Sequence, residues 1–269
     1  MNFEEIAERV WLLNHPAYDV NCTLIVGDER AVLVDTLWGA DEALGAAVTR
    51  VTPLPLTLVN THFHFDHCFG NARLAAQAIW GHPACARELR ERGEHWRAAW
   101  QREYDVDLGG VVIRPPDHFV EHEVRFDLGG CEVVLGHHGR GHTDGDIIVR
   151  TGQVLVAGDL IEQGAPPNFE DSYPLDWPDT LAAIVELADP ETLIVPGHGT
   201  PVDLRFVRAQ HDELTRLDWL IRDGHGDDAP IERVVEKSPF IRWGEKGVTE
   251  STHAVRRGYA QLAGLLEVD

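Results

Sequence analysis

The chain has 269 residues, 43% of them apolar and 25% charged, enough for a globular α/β domain with or without an appended segment. Its formal net charge of −22 repels phosphate backbones, so nucleic acid is not an expected partner. No stretch approaches the roughly 18 consecutive apolar residues of a membrane-spanning helix.

Residues Met1 to Ile6 lack a basic region followed by an apolar stretch, and the expected compartment is the cytoplasm, away from membranes. Cys22, Cys68, Cys85 and Cys131 are widely spaced with no CxxC. That pattern suggests neither a disulfide scaffold nor a thiolate zinc knuckle.

In chain order, Val10 to Leu13, Asn21 to Val26 and Ala31 to Asp35 read as short strands, the last two joined by the turn Gly27-Asp28-Glu29-Arg30. Ala40 to Val51 reads as a helix with Leu44, Ala47, Val48 and Val51 on one side, stopped by Pro53 and Pro55. Leu56 to Asn60 is a buried strand. It delivers the densest group of metal-ligating side chains in the sequence, Thr61-His62-Phe63-His64-Phe65-Asp66-His67.

An extended backbone would put His62, His64 and Asp66 on one side and Phe63 and Phe65 on the other, with His67 turning into a helix. An isolated histidine is ordinarily a surface or hydrogen-bonded residue. Four potential ligands within six residues are another matter, because a structural core would have to find a partner for every one of them. The stretch is therefore expected to bind metal.

Glu88 to Tyr104 reads as one helix with Trp96, Trp100 and Tyr104 in a stripe, foremost a packing surface and secondarily a lid over the site. A hairpin around Gly129-Gly130 leads to Cys131 to Leu135 and then to the glycine- and histidine-rich loop from Gly136 to Asp146, which contains His137, His138 and His142. Only one of those histidines needs to be a ligand.

The next strand ends in Gly158-Asp159, followed by a Pro- and Asn-rich loop in which Phe169 and Tyr173 are expected to shape a pocket. A helix from about Asp176 precedes the strand Thr192 to Val195, which presents Pro196-Gly197-His198. A long helix capped by Asp203 and a last one from about Glu250 to Leu266 are read as packing. Cys68, beside His67, is expected to be a buried structural thiol rather than a redox switch.

Polar residues thus recur at the ends of separate apolar strands, where an α/β fold brings distant segments into one crevice. Seven N and O donors exceed one tetrahedral zinc and suit two metals.

HxHxDH followed in order by GHT, GD and GH resembles the metallo-β-lactamase-fold superfamily, with matches from Asp35 to His198. The resemblance implies a four-layer αββα sandwich of two sheets with helices outside, and a C-terminal helical segment. The expected division is a catalytic domain over 1–203 and a helical segment over 204–269 packed on it.

By position, His62, His64 and His142 match the first metal's ligands and Asp66, His67 and His198 the second's. Asp159 matches the bridging carboxylate, and Asp35 an acidic residue that supports the site. The implied cofactor is a pair of zinc ions, with iron or manganese as alternatives. The implied reaction is cleavage of a small molecule's ester, thioester or lactone bond by a metal-bridging hydroxide, with Asp66 in a catalytic proton-handling role.

Asp159 and the N-terminus differ from the secreted β-lactamases, and His64 from the flavin-linked di-iron branch, which has Glu there. The cytoplasmic glyoxalase II-like group remains, although Leu204 to Asp269 lacks an evident Arg or Lys cluster for glutathione's carboxylates. A mononuclear iron persulfide dioxygenase-like enzyme is the second reading, ahead of β-lactam or phosphodiester hydrolysis. The sequence leaves the oligomeric state open.

Overall fold

The computed structural model describes residues 1–38 and 43–266. Its strands are β1 (Glu4–Ala7), β2 (Val10–His15), β3 (Val20–Val26), β4 (Ala31–Val34), β5 (Leu56–Val59), β6 (Ala76–Gly81), β7 (His118–Phe119), β8 (Glu123–Asp127), β9 (Glu132–Gly136), β10 (Ile148–Thr151), β11 (Val154–Glu162) and β12 (Leu193–His198). They form one hydrogen-bonded path, β7-β6-β5-β4-β3-β12-β11-β10-β9-β8, with β2 and β1 branching from β3. The two expected sheets are therefore halves of one curled sheet. Among the described residues, the strand ladder between them is one pair long, Val20 with His198.

Period-two alternation explains the layers. Leu24, Leu33 and Leu58 face a core shared with α1 (Ala43–Val51), α3 (Pro83–Glu91) and α4 (Gly93–Glu103). Their neighbours Ile25, Val32 and Val59 turn the other way, into a core shared with Leu135, Val149, Val156 and Val195 of the second half. Leu155 and Ile194 face outward again, against α5 (Trp177–Leu187), α6 (Leu204–Gly226) and α8 (Gly244–Leu262). The result is helix, sheet, sheet, helix, with α6, α8 and the short α7 (Ile231–Val235) built onto the second half. No helix among the described residues is long and apolar enough to cross a membrane.

The structure redraws several helices. The first is described from Ala43; the start expected at Ala40 lies outside the described residues, as do the last three residues of the C-terminal segment. The helix expected over Glu88 to Tyr104 is two, broken at Arg92 (φ −123°, ψ 2°). At Gly93 a Cβ would sit 3.0 Å from Ile113 Cδ1, so a side chain at the break would have to displace that methyl by a few tenths of an ångström. The first of the pair begins earlier because His82 accepts from the Ala84 amide and Pro83 occupies the first turn. The last helix runs over 244–262 rather than from Glu250 to Leu266.

Candidate metal centre

The first cluster hangs from the end of β5. Asn60 and Asn71 pair through both side-chain amides, at 3.0 and 2.7 Å, fixing the segment between them. Within it, backbone extension ends sooner than the alternation predicts: α2 covers Phe65–Cys68, so Asp66 is helical and reaches the site from the first helical turn. Phe63 and Phe65 are both buried, as expected. Cys68 Sγ donates to the Phe63 carbonyl at 3.0 Å, and burial raises its pKa well above the usual thiol range, which makes it an anchor.

Asp35 follows β4 in the left-handed region at φ 62°, a conformation that costs free energy for a non-glycine residue. The turn brings its carboxylate onto the Thr61 amide, the Thr61 hydroxyl and His67 Nδ1, each at 2.8 Å. Burial raises the Asp35 pKa, and His67 opposes that rise.

His67 Nδ1 thus donates outward and leaves Nε2 facing the cluster. His198 does likewise, donating from Nδ1 to the Tyr18 carbonyl at 2.7 Å. His62 Nδ1 lies 3.0 Å from the Thr61 hydroxyl, and its Nε2 has no partner. The loop carrying His142 is tied by Asp146, which accepts from the Thr143 amide and hydroxyl at 2.8 and 2.7 Å.

All seven expected ligands converge. His62, His64, His142 and Asp159 offer donor atoms within 4.8 Å of one another, and Asp66, His67 and His198 form a second such group. Asp159 touches both. Its Oδ2 is 3.7 Å from His62 Nε2, 3.5 Å from His142 Nε2 and 3.5 Å from His198 Nε2, while Oδ1 lies 3.2 Å from His67 Nε2.

The electrostatics are those of a crowded, dry donor set. Burial holds His62 well below the ordinary imidazole pKa, and burial lowers His142 to about 4, so both are neutral electron-pair donors at neutral pH. Burial also pulls His67 down, but Asp159, Asp66 and Asp35 outweigh it and raise the ring to about 9. Burial disfavours the Asp159 anion, yet His67, His198 and His62 hold its pKa well below the carboxylate range.

His62 Nε2 and Asp159 Oδ1 are buried without hydrogen-bond partners, and His142 Nε2 and His64 Nδ1 face each other at 3.0 Å. Left to themselves, these atoms would lose their hydration for nothing in return. A cation between them satisfies them all, so the donor set fits divalent metal.

Over the group lies a cavity of about 530 Å³. Trp100 packs its ring 5.5 Å from His64 and is 5% exposed; with Trp96 and Tyr104 it also lines the cavity, so the stripe is both core and wall. Phe169, expected at the pocket, is buried against Trp177 and Phe240 instead. Tyr173 is absent from the cavity lining and lies between Arg140 and Arg257.

Other residues of that loop line the cavity, and Asp171 touches the donor group itself, its Oδ2 2.9 Å from His64 Nε2. The acidic loop after β11 was the available signal, but it did not single out Asp171. His137 stacks on His82 and bonds the Asp146 carbonyl, outside the ligand group.

A family model described as the metallo-beta-lactamase superfamily matches residues 15–198, from β2 to the last ligand. The chain belongs to this superfamily. Among metallo-beta-lactamase superfamily relatives, "Metallo-beta-lactamase domain-containing protein 1" of Xenopus laevis is 32% identical over 212 residues, covering 74% of this chain and 76% of the relative. "Hydroxyacylglutathione hydrolase" of Xanthomonas axonopodis pv. citri is 29% identical and covers 70% of this chain and 64% of its own length. A solved metallo-beta-lactamase from Pontibacter korlensis superposes with a TM-score of 0.64 at 20% identity, covering 80% of this chain and 98% of that one, which establishes the common fold. The superfamily's members are metal-dependent hydrolases, and this chain is one by family and by its His/Asp donor set.

Proposed function

We propose that the protein is a binuclear metallohydrolase that cleaves an ester, thioester or lactone bond of a small molecule. The observation that carries this reading is Asp159, whose carboxylate reaches both donor groups, Oδ2 facing His62, His142 and His198 and Oδ1 facing His67. His62, His64 and His142 would hold one ion, and Asp66, His67 and His198 the other. Two zinc ions bound there would supply a nucleophilic hydroxide at neutral pH and polarise the substrate carbonyl.

The protein's own groups set the rest of the chemistry. Asp35, the Tyr18 carbonyl and Asp171 fix the outward ring nitrogens of His67, His198 and His64 and so aim the inward ones. Phe65, Trp96 and Trp100 exclude water from one side of the cavity. Asp66 lies at the cavity floor, 3.4 Å from His198 Nε2, where its carboxylate can accept the proton released by the attacking nucleophile and pass it to the leaving group.

The test is metal quantitation on the purified chain, followed by a panel of thioester, lactone, ester, β-lactam and phosphodiester substrates. Two zinc ions per chain with acyl-bond cleavage are expected. A single iron with oxygen consumption would replace this reading with the mononuclear oxygenase one. An Asp66→Ala variant that kept both full metal content and full turnover would remove Asp66 from the scheme.

A further inference from the structure

The cavity above the donor group has two unlike walls. One is aromatic: Tyr18, Phe65 and Tyr104 form a triangle with ring centroids 5.8 Å (Tyr18 to Phe65), 5.5 Å (Phe65 to Tyr104) and 6.5 Å (Tyr18 to Tyr104) apart. The other is acidic, with Asp19, Glu103, Glu162, Glu170 and Glu250 in the lining beyond Asp66, Asp159 and Asp171. Against them the lining holds one lysine, Lys246, and no arginine among the described residues.

Some of these carboxylates are already engaged. Glu250, 7% exposed, accepts from the Phe169 amide at 2.8 Å, and Asp171 is taken by His64. Glu103 and Glu170 are paired with no Lys or Arg side chain among the described residues, yet they lie near enough to act on the same Tyr104 phenol, whose pKa is raised by burial and then by both acids. Glu170 is itself pushed up by burial and then by Glu103, with His253 and His64 opposing the rise and Arg257 reaching its backbone carbonyl, so two acids share one aromatic surface that still carries more carboxylates than cations. At the floor of the same cavity Asp159, 7% exposed, keeps a buried oxygen without a partner.

The field along the cavity therefore reverses. The floor, once it holds two divalent ions, attracts an electron-rich carbonyl; the mouth attracts positive charge, and its low-dielectric walls focus both effects. Aromatic faces beside carboxylates are the surface an organic cation prefers, because it gains ring and ion contacts together.

We propose that the substrate carries an ammonium-type cation at the end remote from its scissile carbonyl, seated against Tyr18, Phe65 and Tyr104 and neutralised by Glu103 and Glu170. This rests on the hydrolase reading above and narrows its substrate class. The same wall disfavours acyl compounds with carboxylates at that end, such as the glutathione conjugate named for the Xanthomonas relative.

Three 4-nitrophenyl esters of matched length test it on the zinc-loaded full chain: 4-(trimethylammonio)butanoate, its uncharged isostere 5,5-dimethylhexanoate, and the glutarate monoester. The cationic ester should exceed the isostere in kcat/KM by about tenfold and the anionic ester by more. In a Glu103→Gln/Glu170→Gln double variant the cationic-to-neutral ratio should fall towards one. A wild-type ratio at or below one, or a ratio unchanged in the double variant, overturns the proposal.

If none of the esters, and none of the wider acyl panel, is cleaved, the hydrolase reading fails, and binding alone decides the inference. Benzyltrimethylammonium is then titrated into the full chain while its tryptophan fluorescence, to which Trp96 and Trp100 in the lining contribute, is followed. Saturable quenching that the double variant loses sustains the cation site, and its absence refutes it.

Discussion

Asp171 Oδ2 lies 2.9 Å from His64 Nε2, and that contact reaches from the loop after β11 across to the segment after β5. Burial disfavours the Asp171 anion, but His64 outweighs it and holds the carboxyl below its ordinary range. The pair fixes which His64 nitrogen is free to face His142. Removing the carboxylate in Asp171→Ala should therefore weaken binding of the ion at His62, His64 and His142 by about 10- to 100-fold, with Asp171→Asn in between. Competition against a chromophoric chelator measures this, and unchanged affinity in the alanine variant would refute the coupling.

Asp35 serves His67 in the same way but is more deeply built in, 1% exposed and accepting from three groups. Asp35→Ala strands the Thr61 amide, the Thr61 hydroxyl and His67 Nδ1 together. Metal-free protein should lose about 3 kcal/mol in denaturant unfolding, with partial recovery in Asp35→Asn. A loss below about 1 kcal/mol would mean that the site tolerates those unpaired donors.

Gly197 is required by a neighbour rather than by its own torsions. A Cβ there would lie 1.7 Å from Asp159 Oδ1 and 3.0 Å from the Asp159 amide. Gly197→Ala should push Asp159 off the line between the two donor groups and lower the bound metal from two ions towards one, with the circular dichroism of the fold retained. Gly110→Ala, where nothing lies within 4 Å, is the matched control. Full occupancy in Gly197→Ala would show that Asp159 is dispensable as a bridge.

The stacked pair His82 and His137, ring centroids 4.1 Å apart, gives a pH prediction away from the metal donors. His82 Nδ1 accepts from the Ala84 amide to cap α3, which only the neutral ring can do, and burial followed by His137 lowers its pKa to about 4. Between about pH 4 and 6.5 the unfolded chain binds a proton that the folded one does not, so stability must fall as pH drops through that window. His82→Asn keeps a capping acceptor without the titration. Wild type should lose about 1 kcal/mol more than this variant between pH 7 and pH 5, after allowance for solvent screening of a partly exposed ring. Equal losses would exclude His82 as a source of the dependence.

Residue type and strand-end position pointed to His62, His64, Asp66, His67, Asp159 and His198, and the family motif singled out His142 from its loop; the structure brings the seven side chains together. The layers were expected from the family resemblance alone; the structure supplies their physical basis, since Leu24 and Ile25, or Leu155 and Val156, sit in different cores through alternation. The loop after β11 has no such period. Nothing local distinguishes Asp171, which turns to the site, from Phe169, which turns to Phe240 on the far side. The break at Arg92 was not expected because a helical pattern absorbs one glycine, and the close approach of Ile113 to Gly93 is a tertiary fact. The one-pair joint between the half-sheets was equally invisible, since it depends on how far two distant strands run before they diverge.

That joint, Val20 against His198, places the residue that closes the sheet among the residues that would close around the ions. His62, His64, Asp66 and His67 come from one side of it, and His142, Asp159 and His198 from the other. Neither side alone owns a complete coordination sphere. A loaded centre would work as a clasp across the two halves, tying the integrity of the whole sandwich to the supply of metal in its surroundings.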